Sequence, residues 1–328
     1  MRKTIAVTGA TGHVGANLIR LLADKGFKVK VLVRSSSEAL KGVPVEIVDG
    51  DLFDKAALEK LCQQADVVIH VAALISIGGS SEKALYDVNV NGTQNIIQAC
   101  ERTGVPRLIH FSSVDAFQMN GFDEKVDENT LLDLNSKVPY KKTKALAEEM
   151  VMEAAGSQLE VVVLSPAAIL GPNDNKPSLT GQMMMQMYQG RLPVIVPGGY
   201  HWVDVRDVCD VAVKAIDSGS SGQKYILAGE WVSLAQLASI IQQLSPHKVL
   251  RAVIPFWMGY AGIPFTTLYS AITQTRPLYT RDSLDILRTG SGFMSWDKAK
   301  ADFGFNPRPI TDTVADAIKW YKNQNWIR

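Results

Sequence analysis

The segment Thr8-Gly9-Ala10-Thr11-Gly12-His13-Val14-Gly15 decides the fold of this chain. It ends a short β-branched run, Lys3 to Thr8, and opens a stretch with helical spacing, Val14 to Lys25. Glycines three residues apart at such a junction let the backbone turn tightly and approach a pyrophosphate, while the helix N-terminus offers unpaired N–H groups to it. The strand before and the helix after are the context that a dinucleotide site requires. A tight turn with close helix packing is the alternative interpretation.

Strands and helices alternate through the first half of the chain. Because parallel strands are joined by crossover helices, this pattern predicts an α/β fold with a Rossmann-type doubly wound parallel sheet and a smaller mixed C-terminal lobe. The predicted strands are Lys3–Thr8, Lys28–Val33, Val43–Val48, Asp66–Val71, Arg107–Phe111 and Leu159–Leu164. The predicted helices are Val14–Lys25, Asp54–Gln64, Glu82–Thr103 and Pro139–Ala155.

The regular pattern loosens beyond Gly171, where proline, glycine and asparagine cluster. We therefore expect a cofactor-binding domain over residues 1–172 and a substrate-binding lobe over residues 173–328. Segments at about 200–230 are expected to return to the first domain. The polar, acidic stretch from Met119 to Lys137 is expected to be a surface loop.

Composition excludes several classes of protein. The 328 residues carry 34 basic and 33 acidic side chains, a net charge of +1, which does not favour a nucleic-acid binder. Three cysteines far apart argue against disulfides, and five scattered histidines argue against a metal site. The apolar run Ile5-Ala6-Val7 is too short for a signal peptide or a membrane span. We expect a cytoplasmic protein without stable membrane insertion.

The segment from Ala252 to Ile272 is apolar and aromatic, carries no charged residue, and contains Pro255 and Pro264. A helix at a membrane surface would have such a composition. The prolines and small residues favour instead a short buried helix pair or an apolar wall around a ligand.

Arg34 follows the second predicted strand, where an NAD site usually has an acidic residue for the ribose 2′-hydroxyl. A guanidinium with the hydroxyls of Ser35, Ser36 and Ser37 beside it suits a 2′-phosphate. This pattern predicts a preference for NADP(H), with NAD(H) as a possible second cofactor. A solvated arginine at a strand end is the alternative.

After the third predicted strand, Asp51 could accept a hydrogen bond from an adenine amino group, and Leu52 could pack on the ring. From spacing alone, Asp51 is equally an N-cap for the helix that follows.

Tyr140 and Lys144 are four residues apart, which places both on one face of a helix. A phenol has a pKa of about 10, and a nearby ammonium lowers that pKa towards a value useful for acid–base catalysis. Ser112 and Ser113 end the fifth predicted strand, the edge at which open parallel sheets bind ligands. A hydroxyl there could donate to a substrate oxygen, or it could simply cap the next turn.

These motifs together resemble the extended form of the short-chain dehydrogenase/reductase superfamily. The segments that carry the resemblance include residues 8–15, His70-Val71-Ala72-Ala73, Asn89-Val90-Asn91-Gly92-Thr93, Phe111-Ser112-Ser113, Tyr140-Lys-Lys-Thr-Lys144 and Leu164 to Pro172. Within the superfamily the sequence is most similar to the branch of dihydroflavonol reductases and 3β-hydroxysteroid dehydrogenases.

The resemblance implies a role for each of these positions. Ser113, rather than Ser112, takes the place of the catalytic serine, Tyr140 that of the general acid or base, and Lys144 that of the lysine that tunes the phenol and binds the nicotinamide ribose. It also makes Asp51 and Leu52 adenine contacts and Asn89 a support behind the cofactor. The implied cofactor-binding residues are Gly9, Thr11, Gly12, His13, Val14, Gly15, Arg34, Asp51, Leu52, Val71, Ala72, Ala73, Asn89, Tyr140, Lys144, Pro166, Ala167, Ala168 and Ile169.

We therefore expect an NADP(H)-dependent oxidoreductase that interconverts a carbonyl and a secondary alcohol on a small apolar or aromatic molecule. A nucleotide-sugar epimerase or dehydratase with tightly held NAD is the first alternative, with Arg191, Arg206 and Arg251 as candidate diphosphate ligands. A non-catalytic cofactor-binding sensor is the second. The resemblance also makes a homodimer plausible.

Overall fold

The computed structural model describes residues 2–35, 38–75, 81–156, 158–192, 194–249, 252–273 and 279–328. Its strands are β1 (Thr4–Thr8), β2 (Lys28–Val33), β3 (Glu46–Asp49), β4 (Val67–His70), β5 (Arg107–Phe111), β6 (Lys125–Val126), β7 (Glu160–Pro166), β8 (Ala168–Leu170), β9 (Gly199–Asp204), β10 (Gln223–Leu227), β11 (Trp231–Ser233) and β12 (Phe293–Met294). Its helices are α1 (His13–Asp24), α2 (Lys55–Cys62), α3 (Glu82–Tyr86), α4 (Gly92–Thr103), α5 (Pro139–Glu153), α6 (Leu179–Tyr188), α7 (Val205–Lys214), α8 (Leu234–Leu244), α9 (Phe256–Thr273), α10 (Arg281–Thr289), α11 (Asp297–Phe303) and α12 (Ile310–Asn323).

A seven-stranded sheet in the order β10-β7-β5-β4-β1-β2-β3 forms the centre of the protein, and every neighbouring pair in it is parallel. The predicted Rossmann-type fold is thus confirmed. The six predicted strands are all present, and β10 adds a seventh at one edge. Because all strands are parallel, the carboxyl ends of β1, β2, β4, β5 and β7 meet along one edge, where the strand order places a ligand site.

Helices cover both faces of this sheet, as its buried apolar strands require. On one face, α1 and α7 pack on a core that includes Ile5, Val31 and Val208. On the other, α2, α4 and α5 pack on a core that includes Leu58, Ile96 and Val163. Both α7 and β10 therefore lie with the large sheet although they follow the first half of the chain.

The predicted helix Glu82–Thr103 is interrupted by a π-helical turn, Asp87–Asn91, between α3 and α4. Such a turn adds a residue to the helix and changes the direction of nearby side chains. It carries Asn89, which is buried behind the ligand edge of the sheet.

A second lobe forms around a three-stranded sheet in the order β11-β9-β8. Its core joins α6, α8, α10 and α12 through side chains such as Tyr188, Leu237, Leu284 and Ile318. The loop expected over 119–137 contains the short strand β6, which pairs with β12.

The apolar segment 252–272 was expected to form a short buried helix pair or an apolar wall around a ligand, and the expected helix pair is wrong. It folds as one helix, α9, with Pro264 inside it. Its outer side chains are exposed, since Trp257 keeps 69% and Phe265 keeps 76% of its surface accessible. Composition did not reveal this because it shows that a segment is apolar, not which side of it packs. Within the described ranges, no helix is long and apolar enough to cross a membrane.

Candidate active site

A cleft of about 600 Å³ runs along the carboxyl edge of the large sheet and continues between the two lobes. Of the 20 residues that the sequence predicts for catalysis or cofactor binding, the structure brings 19 to this cleft. The exception is Asn89, which lies behind it.

The glycine segment forms the floor of the cleft at the end of β1. Gly9 has φ +74°, and a Cβ there would lie 2.6 Å from the backbone nitrogen of Ala72. A Cβ on Gly15 would lie 2.1 Å from the carbonyl oxygen of Gly9, so both positions require glycine. Gly12 differs, because a Cβ there would meet no atom nearer than the Gly9 carbonyl oxygen at 3.4 Å. The missing side chain at Gly12 therefore leaves space for a ligand in the cleft, whereas at Gly9 and Gly15 the space is filled by protein backbone.

The N-terminus of α1 opens into this space. Its N-cap is Gly12, no side chain caps it, and its first turn contains no acidic residue. The N–H groups of that turn therefore remain available to an anionic group. The imidazole Nε2 of His13 lies 3.1 Å from the carbonyl oxygen of Pro172, which also accepts from Asn17 Nδ2 at 3.0 Å. These contacts fix the helix start against the segment after β8. The cradle fits a dinucleotide pyrophosphate.

Arg34 is exposed, lines the cleft directly after β2, and belongs to none of the ion pairs found among the described residues. Its guanidinium is thus available to a ligand. Ser35 is exposed beside it, while Ser36 and Ser37 lie outside the described residues.

Asp51 and Leu52 line the cleft after β3. The N-cap of α2 is Asp54, whose carboxylate accepts from the backbone of Ala57. Asp51 Oδ1 instead accepts from the backbone N–H groups of Phe53, at 2.8 Å, and Asp54, at 3.2 Å. Asp51 therefore shapes the turn before the helix rather than capping it.

Asn89 supports the cleft wall from behind. Its amide oxygen accepts from Leu74 N at 2.8 Å, and its amide nitrogen donates to Leu74 O at 3.1 Å and Thr143 Oγ1 at 3.1 Å. The π-helical turn thus joins Leu74, which lines the cleft directly after the strand-end segment Val71–Ala73, to Thr143 of helix α5.

Ser113 follows β5 and caps the short 3₁₀ helix Val114–Ala116, since its Oγ accepts from Asp115 N at 3.2 Å. Its hydroxyl is near enough to the phenol of Tyr140 to lower the pKa of that phenol. Ser112 is buried and acts on the Glu148 carboxyl of α5. The structure therefore brings together Ser113 and Tyr140, as the sequence resemblance implies.

Tyr140 begins α5 and is nearly enclosed. Burial raises the pKa of its phenol well above 10, the nearby Asp115 carboxylate raises that pKa further, and the nearby Ser113 hydroxyl opposes both. The lowering expected from Lys144 does not appear in this geometry. Lys144 Nζ donates to the carbonyl oxygen of Phe111 at 2.7 Å instead.

Lys144 lies one turn further along the same face of α5 and is buried. Burial lowers the pKa of its ammonium to about 8, and the charge of Glu148, one more turn along, opposes that shift. Glu148 is fully buried, and Lys224 Nζ lies 3.6 Å from its Oε1. Burial raises the pKa of Glu148, and Ser112, Lys224 and Lys144 oppose this. Sequence reasoning missed Glu148, although its spacing from Tyr140 and Lys144 continues one helical face.

A buried histidine pair extends this polar layer under β1, β4 and β5. The rings of His70 and His110 lie 5.4 Å apart. His70 contacts Thr8 Oγ1 at 2.7 Å and Thr93 Oγ1 at 3.1 Å, and burial lowers the pKa of its imidazole to about 3. These histidines are therefore neutral and structural. Among the described residues no group of histidine, cysteine and carboxylate side chains could hold a metal ion.

The second lobe closes the other half of the cleft with side chains that no motif had indicated. Pro166, Ala167, Ala168 and Ile169 line it where the lobes join, as expected. Beyond them, the lining of this half includes Met119, Lys176, Leu179, Tyr200, His201, Ile286, Thr289 and Met294. These residues come from separate segments of the chain, and none belongs to a recognisable pattern. Four of the eight, Met119, Leu179, Ile286 and Met294, are apolar, and the other four carry polar groups.

Two of the three arginines proposed as diphosphate ligands, Arg191 and Arg206, do not line this cleft. Arg206 is paired with Asp204 and Asp316, each at 2.7 Å. Arg191 borders a separate surface depression beside Trp326. Arg251 lies outside the described residues. Among the described residues from Ala168 onward, Lys176 is the one cationic side chain, other than histidine, that lines the cleft.

Comparison with known proteins identifies the family of the chain. A family model described as NAD dependent epimerase/dehydratase family matches residues 5–228. The chain is similar to sterol demethylase protein B from Methylococcus capsulatus, with 33% identity over 99% of this chain and 100% of that protein. It is also similar to a putative dihydroflavonol 4-reductase from Synechocystis, with 31% identity over 98% of this chain and 95% of that protein.

Solved structures of other proteins share this fold. The crystal structure of gox2253 superposes with a TM-score of 0.86 at 30% identity and full coverage of both chains. A nucleoside-diphosphate-sugar epimerase from Pseudomonas aeruginosa superposes with a TM-score of 0.81 at 23% identity, again over both full chains, which shows a shared fold. The chain therefore belongs to the NAD-dependent epimerase/dehydratase family of extended short-chain dehydrogenases/reductases.

Proposed function

We propose that this protein is an NADP(H)-dependent oxidoreductase that interconverts a carbonyl and a secondary alcohol on a small apolar or aromatic substrate. One observation carries the proposal: Ser113 and Tyr140 line the same cleft as the glycine cradle, with Lys144 one turn further along α5. Members of this family catalyse different reactions. The choice among those reactions therefore rests on the residues in the substrate half of the cleft.

The bound dinucleotide would supply or accept the hydride. The protein's own groups handle the oxygen. The Ser113 hydroxyl donates a hydrogen bond to the substrate carbonyl, and the Tyr140 phenol transfers a proton to the same oxygen. Both donors stabilise the negative charge that develops there, and the ammonium of Lys144 adds to that stabilisation. The raised pKa of Tyr140 keeps the phenol protonated at neutral pH, which suits reduction of a carbonyl.

Arg34 supports the preference for NADP(H). It is exposed at the end of β2, and its guanidinium can bind a 2′-phosphate through paired hydrogen bonds. Gly12 and the uncapped start of α1 would hold the pyrophosphate, and Asp51 and Leu52 would contact the adenine.

The apolar lining of the second lobe supports an apolar or aromatic substrate. Met119, Leu179, Ile286 and Met294 offer no donors for a sugar or a diphosphate. The names of three relatives also support an apolar or aromatic substrate. They are a sterol demethylase protein, a putative dihydroflavonol 4-reductase, and a ketoreductase from Stigmatella aurantiaca named for a farnesyl dihydroquinoline oxide. Arg206, bound to two carboxylates, is not available to a nucleotide sugar.

The test is a panel of aromatic, steroidal and long-chain ketones, each incubated with the protein and NADPH while the reduced nicotinamide is followed by absorbance. Turnover that requires Tyr140 supports the proposal. Turnover of nucleotide sugars without net cofactor oxidation would support the epimerase alternative instead. A cellular effect that the Tyr140→Phe variant reproduces in full would support a non-catalytic sensor.

A further inference from the structure

Helix α9 presents an apolar face to solvent. Among the residues of α9 whose exposure is described, Trp257, Met258, Ala261, Pro264 and Phe265 are exposed at positions that share one side of a helix, and Thr267 is exposed as well. Exposure is 69% for Trp257, 41% for Met258 and 76% for Phe265. Surface helices ordinarily turn polar side chains outward, so an outward aromatic face indicates contact with something apolar.

The inner side of α9 is fixed, so this face cannot turn inward. A Cβ on Gly259 would lie 3.2 Å from Val196 and 3.4 Å from Leu284, which places the helix backbone directly on its neighbours. Tyr260 donates a hydrogen bond to Asp285 of α10, and Ile263 packs on the core of the second lobe.

The surrounding sequence is basic. Residues 247–281 carry Lys248, Arg251, Arg276 and Arg281 and no aspartate or glutamate. Lys248 and Arg281 are exposed. Asp282 follows directly after Arg281 in the first turn of α10, and Asp285 of the same helix accepts the hydrogen bond from Tyr260. The whole chain has a net charge of only +1, so this excess of positive charge is local.

We propose that α9 binds the surface of an anionic phospholipid bilayer, with its aromatic face among the upper acyl chains and the flanking basic side chains at the headgroups. An uncharged helix with outward tryptophan and phenylalanine suits the bilayer interface, and basic flanks add attraction to anionic lipid. A convex helix surface, rather than a groove, also suits a planar partner.

The position of α9 gives this contact a consequence. Helix α10 packs against α9 and contributes Ile286 and Thr289 to the cleft. Bound in this way, the protein holds the substrate half of the cleft close to the bilayer. The binding itself requires neither cofactor nor turnover, so its test is independent of the proposed reaction.

The experiment is flotation of the purified full-length protein with two kinds of vesicle, phosphatidylcholine alone and phosphatidylcholine mixed with phosphatidylglycerol. We expect the wild type to float with the mixed vesicles, to bind the neutral vesicles less, and to be released in part by high salt. The double variant Trp257→Glu and Phe265→Glu is expected to lose tenfold or more of its partitioning. The matched control is Leu131→Glu, since Leu131 is 71% exposed in a distant loop, and it is expected to bind as the wild type does.

Thermal unfolding and NADPH binding verify that each variant is folded. No flotation of the wild type with either vesicle, or equal flotation of the double variant, would overturn the proposal. Light scattering tests the alternative that a second copy of the chain packs against the exposed face of α9. If the wild type self-associates, the double variant is monomeric, and neither binds vesicles, then a second copy of the chain covers α9 and the membrane contact is refuted.

Discussion

The two halves of the cleft are built in different ways. The cofactor half consists of backbone: glycines at the end of β1, the bare start of α1, and the ends of five parallel strands. The substrate half consists of side chains such as Tyr200, Ile286 and Met294, from segments distant in sequence. A local motif can therefore reveal the first half, whereas the second half depends on how the whole lobe packs. Changes to the cofactor half should affect chemistry or cofactor choice, and changes to the substrate half should affect substrate affinity.

The largest effect is expected at Tyr140, where the two halves meet. Tyr140→Phe removes the proton donor, so we expect kcat to fall by about 10²- to 10⁴-fold while NADPH binding is retained. Tyr200→Phe is the matched control, since Tyr200 lines the substrate half of the same cleft. It should change KM more than kcat. Steady-state kinetics of both variants measures the contrast, and equal losses of kcat would contradict it.

The next effect concerns cofactor choice. Arg34→Ala should weaken NADPH binding by about 10- to 100-fold, because a hydrogen bond to a charged group contributes about 1.5–3 kcal/mol, and it should leave NADH binding nearly unchanged. Fluorescence titration of the six-tryptophan protein provides the measurement. An equal loss for both cofactors would show that Arg34 does not bind the 2′-phosphate.

Substitutions at two glycines of the cradle distinguish an effect on folding from an effect on cofactor binding. Gly15→Ala forces a Cβ to within 2.1 Å of the Gly9 carbonyl oxygen, so it should destabilise the fold by about 1–3 kcal/mol or more. Gly12→Ala meets no protein atom closer than 3.4 Å, so it should weaken cofactor binding with little change in Tm. Thermal unfolding with and without NADPH distinguishes the two. A large drop in Tm for Gly12→Ala would mean that the space at Gly12 serves packing.

The pH dependence follows from the buried lysine. Because the pKa of Lys144 is lowered to about 8, its positive charge is lost as pH rises through 8 rather than through 10.5. We expect kcat/KM for carbonyl reduction to fall by up to tenfold per pH unit above 8. Lys144→Arg keeps its charge and should remove that decline, at a lower overall rate. A flat wild-type profile to pH 10 would contradict the assignment.

The smallest effect is expected at Glu148. Its charge raises the pKa of Lys144, so Glu148→Gln should move the alkaline decline to lower pH, by less than about one unit. The rate on the pH-independent plateau should change little. A merely structural role for Glu148 would lower the plateau or the Tm without moving the decline.

The sequence predicted the fold well because its signals are local. The strand runs and Gly9, Gly12 and Gly15 need only neighbouring residues to be recognised. Segments at about 200–230 were expected to return to the first domain, but no strand was predicted at β10, because it lies far along the chain from the strands that it joins. The exposed face of α9 was misjudged because its composition suits burial equally well.

The site residues could likewise be predicted where their signal is local and could not be predicted where it depends on the whole fold. Ser113, Tyr140 and Lys144 lie in segments that carry the family resemblance, and the structure brings them together. The cleft-lining side chains His201 and Thr289 had no such signal. The electrostatics also required three dimensions, since the pKa of Tyr140 is set mainly by burial and by Asp115 rather than by Lys144.

The most direct test of the account is a side-by-side titration of the purified protein with NADPH and NADH, preceded by extraction of any nucleotide already bound. The account predicts reversible binding, at least tenfold tighter for NADPH, with no retained NAD⁺. Equal affinities would contradict the function given to Arg34. Retained NAD⁺ with no exchange would contradict the oxidoreductase proposal and favour an enzyme that recycles its cofactor in place.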